Sequence, residues 1–396
     1  MERESDNRSM LNLNINYRII ANPFIAYVYV NLIVFILYQL RWSNLLPKLS
    51  TELVYFIFFT VYIMLFIGLL SIKLAIIPKY KPINMTHNPF KVIISIIILI
   101  IIEFIHNNGV PLLLLINGIK YNYMSFGIKT LHVFILTFIS FYAVYLFHLF
   151  VSQKNKKILL YVIILCFYPI LIINRGALLI ILTSIIFIFL MNIRGLKLEH
   201  FIYIVLFLIL VAYGFGLLGD LRHGNENYFI SISHPSKEFF DSHIPKEFLW
   251  AYMYVVSPLG NLQTTINDVE ISYSEIEFIL RCLVPDFISK HFDFNKTPLI
   301  QIAPELNVAT MYGAAYASMG WLGMIFIFIY MILIVLLYLI FLPRNTPYTI
   351  SGIALLTTLI AYTFFTNMLV FTGMIAQLAY PILFGYLFRV GRDKNV

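Results

Sequence analysis

Three arginines and three side chains able to accept a proton stand apart in this chain: Arg175, Arg222 and Arg281, with His223, Asp220 and Glu305. An arginine presents a rigid fork of N–H donors that matches two phosphate oxygens at once. Three of them on one side of a membrane would clamp a pyrophosphate. A carboxylate or imidazole beside them would serve as a general base. Each residue also has a plainer reading. Arg175 would snorkel to lipid phosphates, Arg222 and Arg281 would pair with nearby carboxylates, and His223 would be an exposed loop histidine. The chain has no GxSxG, HExxH, P-loop or CxxC pattern, which removes the common soluble-enzyme chemistries. Its two cysteines, Cys166 and Cys282, lie at different depths and suggest neither a disulfide nor a metal site. No metal or cofactor is expected.

The elements that must position these residues are apolar. The chain is 61% hydrophobic and 12% charged, against about 25% charged for a soluble domain, and its mean hydropathy is +0.87. The fold class read from this is an all-α polytopic membrane protein with about ten transmembrane helices. The expected spans are residues 23–40, 53–77, 91–105, 131–150, 158–173, 177–193, 199–218, 319–342, 349–369 and 374–390. Strand-like alternation is absent, which argues against an outer-membrane barrel. The polar N-terminal stretch to Asn22 lacks a cleavage site and is not read as a removed signal peptide.

Orientation follows from Lys and Arg. Fifteen of them fall in one set of short segments, among them Lys79, Lys81, Lys154 and Arg344, and five in the opposite short loops, among them Arg41 and Arg175. The richer side is cytoplasmic by the positive-inside rule, so both termini are expected inside. The basic balance thus reports topology and no nucleic-acid partner. One long outer loop, residues 219–318 between the seventh and eighth spans, carries twelve of the nineteen acidic residues and only six of the twenty-seven basic ones. The domains are then a membrane part over 1–218, this loop, and a membrane part over 319–396.

Several stretches carry finer expectations. Residues 103–132, broken by glycines and Pro111, should lie at the outer interface or re-enter rather than cross. Lys157 and Arg194 leave room for about 54 Å of helix, slightly less than the ~60 Å of two full crossings. The tip Asn174-Arg175-Gly176 therefore sits at or just below the outer membrane surface, where an arginine is costly without an anion or a water-filled cavity. In the loop, residues 245–268 and 274–292 look helical, limited or kinked by Pro258 and Pro285. They would lie along the membrane surface or pack as a small outer domain.

Four stretches resemble the O-antigen polymerase family, the oligosaccharide repeat-unit polymerases: NRGALL (174–179), GDLR (219–222), YVVSPLGNL (254–262) and NVATMYGAAYASMGWLG (307–323). IKTLH (128–132) is similar to a fifth family stretch, with Lys129 where proline is usual. Ser318 or Met319 stands where the family often has aspartate.

The resemblance implies a glycosyltransferase at the periplasmic face of the bacterial inner membrane. It would move a growing glycan from undecaprenyl pyrophosphate onto another lipid-linked repeat unit. Its partners would be these undecaprenyl-pyrophosphate-linked oligosaccharides, membrane lipid, and a flippase and a chain-length regulator of the same pathway. Arg175, Arg222 and Arg281 would bind pyrophosphate, and His223, Asp220 and Glu305 are the base candidates. Asn307, Thr310, Tyr312 and Tyr316 would line the sugar site, unless they only pack the eighth span. Tyr254, with Trp250 and Tyr252, would stack on sugar or lipid. An O-antigen ligase acting on lipid A-core, or a flippase, are the rival readings.

Overall fold

The structure is a computed structural model that describes residues 17–119, 126–193, 198–223 and 228–393. Regular structure among these residues is helical, apart from two isolated bridges. The main helices are α1 (Pro23–Tyr38), α2 (Thr51–Lys73), α3 (Pro89–His106), α4 (Leu131–Gln153), α5 (Lys156–Leu171), α6 (Arg175–Asn192), α7 (Leu198–His223), α8 (Glu247–Asp268), α9 (Gly313–Phe341), α10 (Thr349–Ala361) and α11 (Ala379–Asp393). Local sequence sets several starts. Asn22 and Asn88 cap α1 and α3 through side-chain oxygens, each with proline at the first helical position, and Ser50 caps α2.

The bundle is built around α10. All of its 13 residues are buried, and it packs on α1, α4, α6 and α11. Its sequence, TISGIALLTTLIA, is rich in the small and hydroxylated residues that let helices approach closely in lipid. A Cβ on Gly352 would stand 2.8 Å from the Tyr338 hydroxyl. Thr357 donates to the Ala21 carbonyl at 2.9 Å, and Thr358 shares a 2.8 Å hydroxyl bond with Ser184 of α6.

Outward, the chemistry reverses. Phe58, Phe59, Tyr62 and Phe66 of α2 and Ile98, Ile101 and Ile105 of α3 are exposed. A water-soluble surface would not tolerate so large an apolar belt; lipid tails match it. Among the described residues five helices are long and apolar enough to cross a bilayer, namely α2, α3, α4, α6 and α9. The protein is thus an all-α membrane protein.

Each of the ten expected segments contains a helix, with some boundaries moved. The helix expected to end at 218 runs to His223, and the one expected to begin at 319 begins at Gly313. Within α9 the chain breaks at Gly320 (φ 60°, ψ −147°). This is a conformation only glycine adopts without strain. A Cβ on Gly323 would collide with the Ala315 carbonyl, so the residues before the break fold back onto those after it.

The span expected over 349–369 is helical only to Phe364. Residues 362–378 form a broken stretch of short helical turns instead. Between α3 and α4 there is a six-residue helix, Pro111–Ile116, about 9 Å long and far too short to cross.

The helical expectation for 245–268 matches α8, which includes Pro258 within it. Residues 274–292 are broken by contrast: a turn at Glu275–Phe278, a π-helical turn at Ile279–Leu283, and Asp286–Ser289 after Pro285. The first stretch is packed, while Ile276, Ile279, Phe287, Ile288 and Phe292 of the second are exposed. Helix α8 buries Trp250, Met253, Val256, Leu259 and Leu262 against the rest of the protein. It is fastened to the 42–50 loop by Tyr252, which accepts from Trp42 N, and by Gln263, which accepts from Ser50 N.

Candidate functional site

Arg175 is the first residue of α6, after a three-residue turn from α5. Ile173 in the turn has φ 59°, and Asn174 caps α6 by accepting from Ala177 N at 3.0 Å. A cation at this position faces the positive end of the helix macrodipole, which disfavours it by about 0.3–1 kcal/mol. A bound anion at the same place would be favoured by both the helix end and the guanidinium.

Arg175 donates to the Tyr254 hydroxyl at 3.3 Å and lies 5.4 Å above that ring. Tyr254 stacks on Phe365 with centroids 6.0 Å apart, and Pro258 removes the N–H that would close on the Tyr254 carbonyl. Of the three aromatics expected to stack on ligand, Tyr254 alone is half-open. Trp250 is stacked on Phe229 at 3.5 Å and Tyr252 packs on Trp42 at 4.8 Å, so both serve packing.

The broken stretch 362–378 brings the loop to this point. Met311 N donates to the Thr363 carbonyl, Thr310 pairs with Thr366, and a Cβ on Gly176 would stand 3.9 Å from the Met374 methyl. Thr310 has φ 43°, a strained turn held from both sides.

Glu305 sits in a turn just before the run leading to Thr310. One oxygen accepts from the Tyr228 hydroxyl at 2.8 Å, and the other, Oε2, is covered and has no hydrogen-bond partner among the described residues. The bond to Glu305 raises the Tyr228 phenol above its usual value. The run is held by Asn261, fully buried in α8. Asn261 donates to the carbonyls of Leu306 and Val308 and accepts from Ile302 N at 2.8 Å. It is a positioning residue that sequence reading passed over, although it lies in the quoted YVVSPLGNL stretch. Asn307, between its two anchor points, is exposed.

Arg281 has different surroundings. Its Nη1 donates to Glu277 Oε1 at 2.8 Å and to the Thr297 carbonyl at 2.7 Å. Glu277 also accepts from Ser272, from Thr297 N and from the Thr297 hydroxyl. Burial alone would raise its carboxyl; these bonds from Thr297, Arg281 and Ser272 outweigh burial and hold it below the usual value. The expected pyrophosphate ligand is therefore an internal ion pair, the plainer alternative. The neighbouring thiol is inert, because burial pushes Cys282 up to about 12.

Tyr312 is also a packing residue. It is 5% exposed, shares a 2.6 Å hydroxyl bond with Tyr27 and stands edge-on to Phe56. Tyr316 reaches the Ile266 carbonyl and packs on Trp321. Both serve the joint between loop and bundle and leave the expected sugar site to other residues. The side chains of Asp220, Arg222 and His223 lie outside the described residues. The helix carrying them is placed by Gly219, where a Cβ would stand 2.8 Å from Trp250.

One cluster was not anticipated. Glu103, near the end of α3, is fully buried and accepts from the Tyr168 hydroxyl of α5 and from His132 Nδ1 of α4 at 3.1 Å. Gly127 (φ 94°) leaves space for the imidazole, since a Cβ there would meet it at 2.5 Å. This fixes the tautomer and orientation of His132 in the manner of a carboxylate-held base. The available signal was a single acid in the apolar run PFKVIISIIILIIIEFIH, with His132 closing the IKTLH stretch. Among the described residues no group of three or more His, Cys, Asp or Glu is placed to hold a metal. Compared with known proteins, the chain matches no family model, no curated sequence and no solved structure.

Proposed function

We propose that the chain is a glycosyltransferase that polymerises undecaprenyl-pyrophosphate-linked oligosaccharide repeat units at the periplasmic face of a bacterial inner membrane. The reading rests first on the five resembling stretches. The observation that carries it further is Arg175, set at the N-terminus of α6 and held against Tyr254 of the outer segment. A guanidinium and a helix N-terminus converge there, which suits a phosphate group.

In this reaction the acceptor hydroxyl attacks the anomeric carbon of the donor glycan. The bond from that carbon to the pyrophosphate oxygen breaks, and undecaprenyl pyrophosphate leaves with the electron pair. Arg175 stabilises the charge developing on the leaving group. Glu305 is the described side chain suited to take the hydroxyl proton, since Oε2 has no partner among the described residues and Tyr228 orients the carboxylate through Oε1. Asp220, His223 and Arg222 remain part of the proposed set on the strength of the sequence. Holding two lipid-anchored substrates in one frame supplies the proximity effect.

With this function we propose ten crossings, both termini inside and the long loop outside, on the fifteen-to-five distribution of Lys and Arg. Cysteine labelling should find residue 155 inside and residue 237 outside; the reverse pattern overturns the topology. The activity is tested with purified protein and one defined lipid-linked repeat unit. The expected product is a ladder of longer lipid-linked chains, lost on Arg175→Lys at equal protein level. Consumption of the unit only when lipid A-core is added would make the protein a ligase. Translocation of the unit with no new bond would make it a flippase.

A further inference from the structure

A cavity of ≈ 510 Å³ opens at the opposite end of the bundle from Arg175. The 23 residues of α4 separate the two ends by roughly 35 Å. The cavity is bounded by the 78–86 segment between α2 and α3, the 344–350 segment between α9 and α10, and Phe388 of α11.

Three cations line it, Lys79, Lys81 and Arg344, and the lining contains no Asp or Glu. Among the described residues none of the three has an ion-pair partner. Lys81 donates to the amide oxygen of Asn345 at 2.8 Å, Arg344 to the Ile76 carbonyl, and Lys79 makes no hydrogen bond. A fourth cation, Arg389, is tied to the Arg344 carbonyl.

Basic residues on this side of a membrane protein are expected from topology alone. What topology does not require is that three exposed cations line one open pocket. Like charges that converge without a carboxylate repel one another, and a bound anion relieves that repulsion. The walls are also held in place. His148 is buried with Nε2 on the Lys81 carbonyl, Ile83 N donates to Ser152, and Pro78, Pro82 and Pro347 stiffen the segments.

We propose that this cavity is a binding site for a phosphate-bearing anion, with the phosphate among Lys79, Lys81 and Arg344. The volume is in the range of sites for organic ligands and much larger than a bare ion needs. Ile83, Met85, Ile350 and Phe388 add apolar wall beside the charge. Both features fit the headgroup and first carbons of an anionic phospholipid, while a soluble phosphate would use the same cations. The site is independent of the proposed polymerase activity.

The test uses the full chain in nanodiscs of phosphatidylcholine with graded phosphatidylglycerol. Retained lipid is counted by native mass spectrometry, and inorganic pyrophosphate serves as the soluble competitor. Each cation near the membrane surface contributes about fivefold to anion affinity. Lys81→Gln with Arg344→Gln should therefore weaken phosphatidylglycerol retention about twenty-fivefold. Lys79→Gln should weaken it about fivefold, and that variant cannot fail for loss of a structural bond. Lys156→Gln with Lys157→Gln, exposed at the same end of the bundle but outside the cavity, should leave retention unchanged. Pyrophosphate binding that depends on the same cations, without phosphatidylglycerol retention, would assign the site to a soluble phosphate. Equal losses in the cavity and control variants, or no loss in either cavity variant, would overturn the proposal.

Discussion

Arg281 lies in the last turn of a short helical stretch, where the macrodipole favours a cation, and donates to a carboxylate four residues earlier in the chain. Arg175 lies in the first turn of an 18-residue helix, where the macrodipole opposes it, with its guanidinium against a neutral aromatic ring. The two share a side chain and an expected task, and the surroundings separate them. Glu277, 2% exposed, is satisfied by Arg281, Ser272 and Thr297, a closed network that ties the 272–281 stretch to Thr297. Tyr254 contributes a phenol oxygen that accepts from Arg175 and a ring beneath the guanidinium. An arginine at the unfavourable end of a helix is costly to keep, and anion binding is a reason to keep it.

The largest expected effect breaks or upholds the Arg175 side of this contrast. Arg175→Lys keeps the charge and loses the fork. Polymerisation should fall by about 10²–10³-fold in a single-substrate ladder assay, with thermal stability in detergent unchanged. A variant that retains full activity would reduce Arg175 to a lipid-snorkelling residue.

Arg281→Ala should act through folding. It leaves a buried carboxylate uncompensated, a loss of about 3 kcal/mol, read as a lower unfolding temperature and poor accumulation. Glu277→Gln combined with Arg281→Met should recover much of that loss, because no buried charge is then left alone. If Arg281→Ala is as stable as the parent and inactive, the two arginines belong to one site after all.

Acid sharpens the same contrast. The folded Glu277 carboxyl is held below its unfolded value. Its contribution is therefore complete above the unfolded pKa and lost as pH falls through the folded one. The stability difference between parent and Glu277→Gln should be constant at neutral pH and shrink in acid, as followed by thermal unfolding. A difference that grows in acid would contradict the assignment.

Tyr254→Phe is the mildest probe. It removes one hydrogen bond to Arg175 and keeps the ring, a change of about 1 kcal/mol. Activity should drop severalfold without loss of protein. No change would mean that this hydrogen bond does not place the arginine.

Some of this was legible without coordinates. Apolar runs, N-terminal Asn-Pro caps and the skew of Lys and Arg are local or compositional, so helices, membrane class and the Arg175 tip could be read directly. The Glu277–Arg281 pair was also readable, being four residues apart. Other features depend on residues far apart in the chain. Glu103 meets His132 and Tyr168 across 29 and 65 positions, Tyr312 meets Tyr27 across 285, and Asn261 holds the 302–308 run across more than 40. Single polar residues in an apolar sequence give no sign of which partner they will find. In a buried site each must find one, because lipid and packed protein offer no water to take its place. Local pattern therefore determined where the helices are. Only the packing of α8, α10 and the broken 362–378 stretch decided which of their polar side chains share a site.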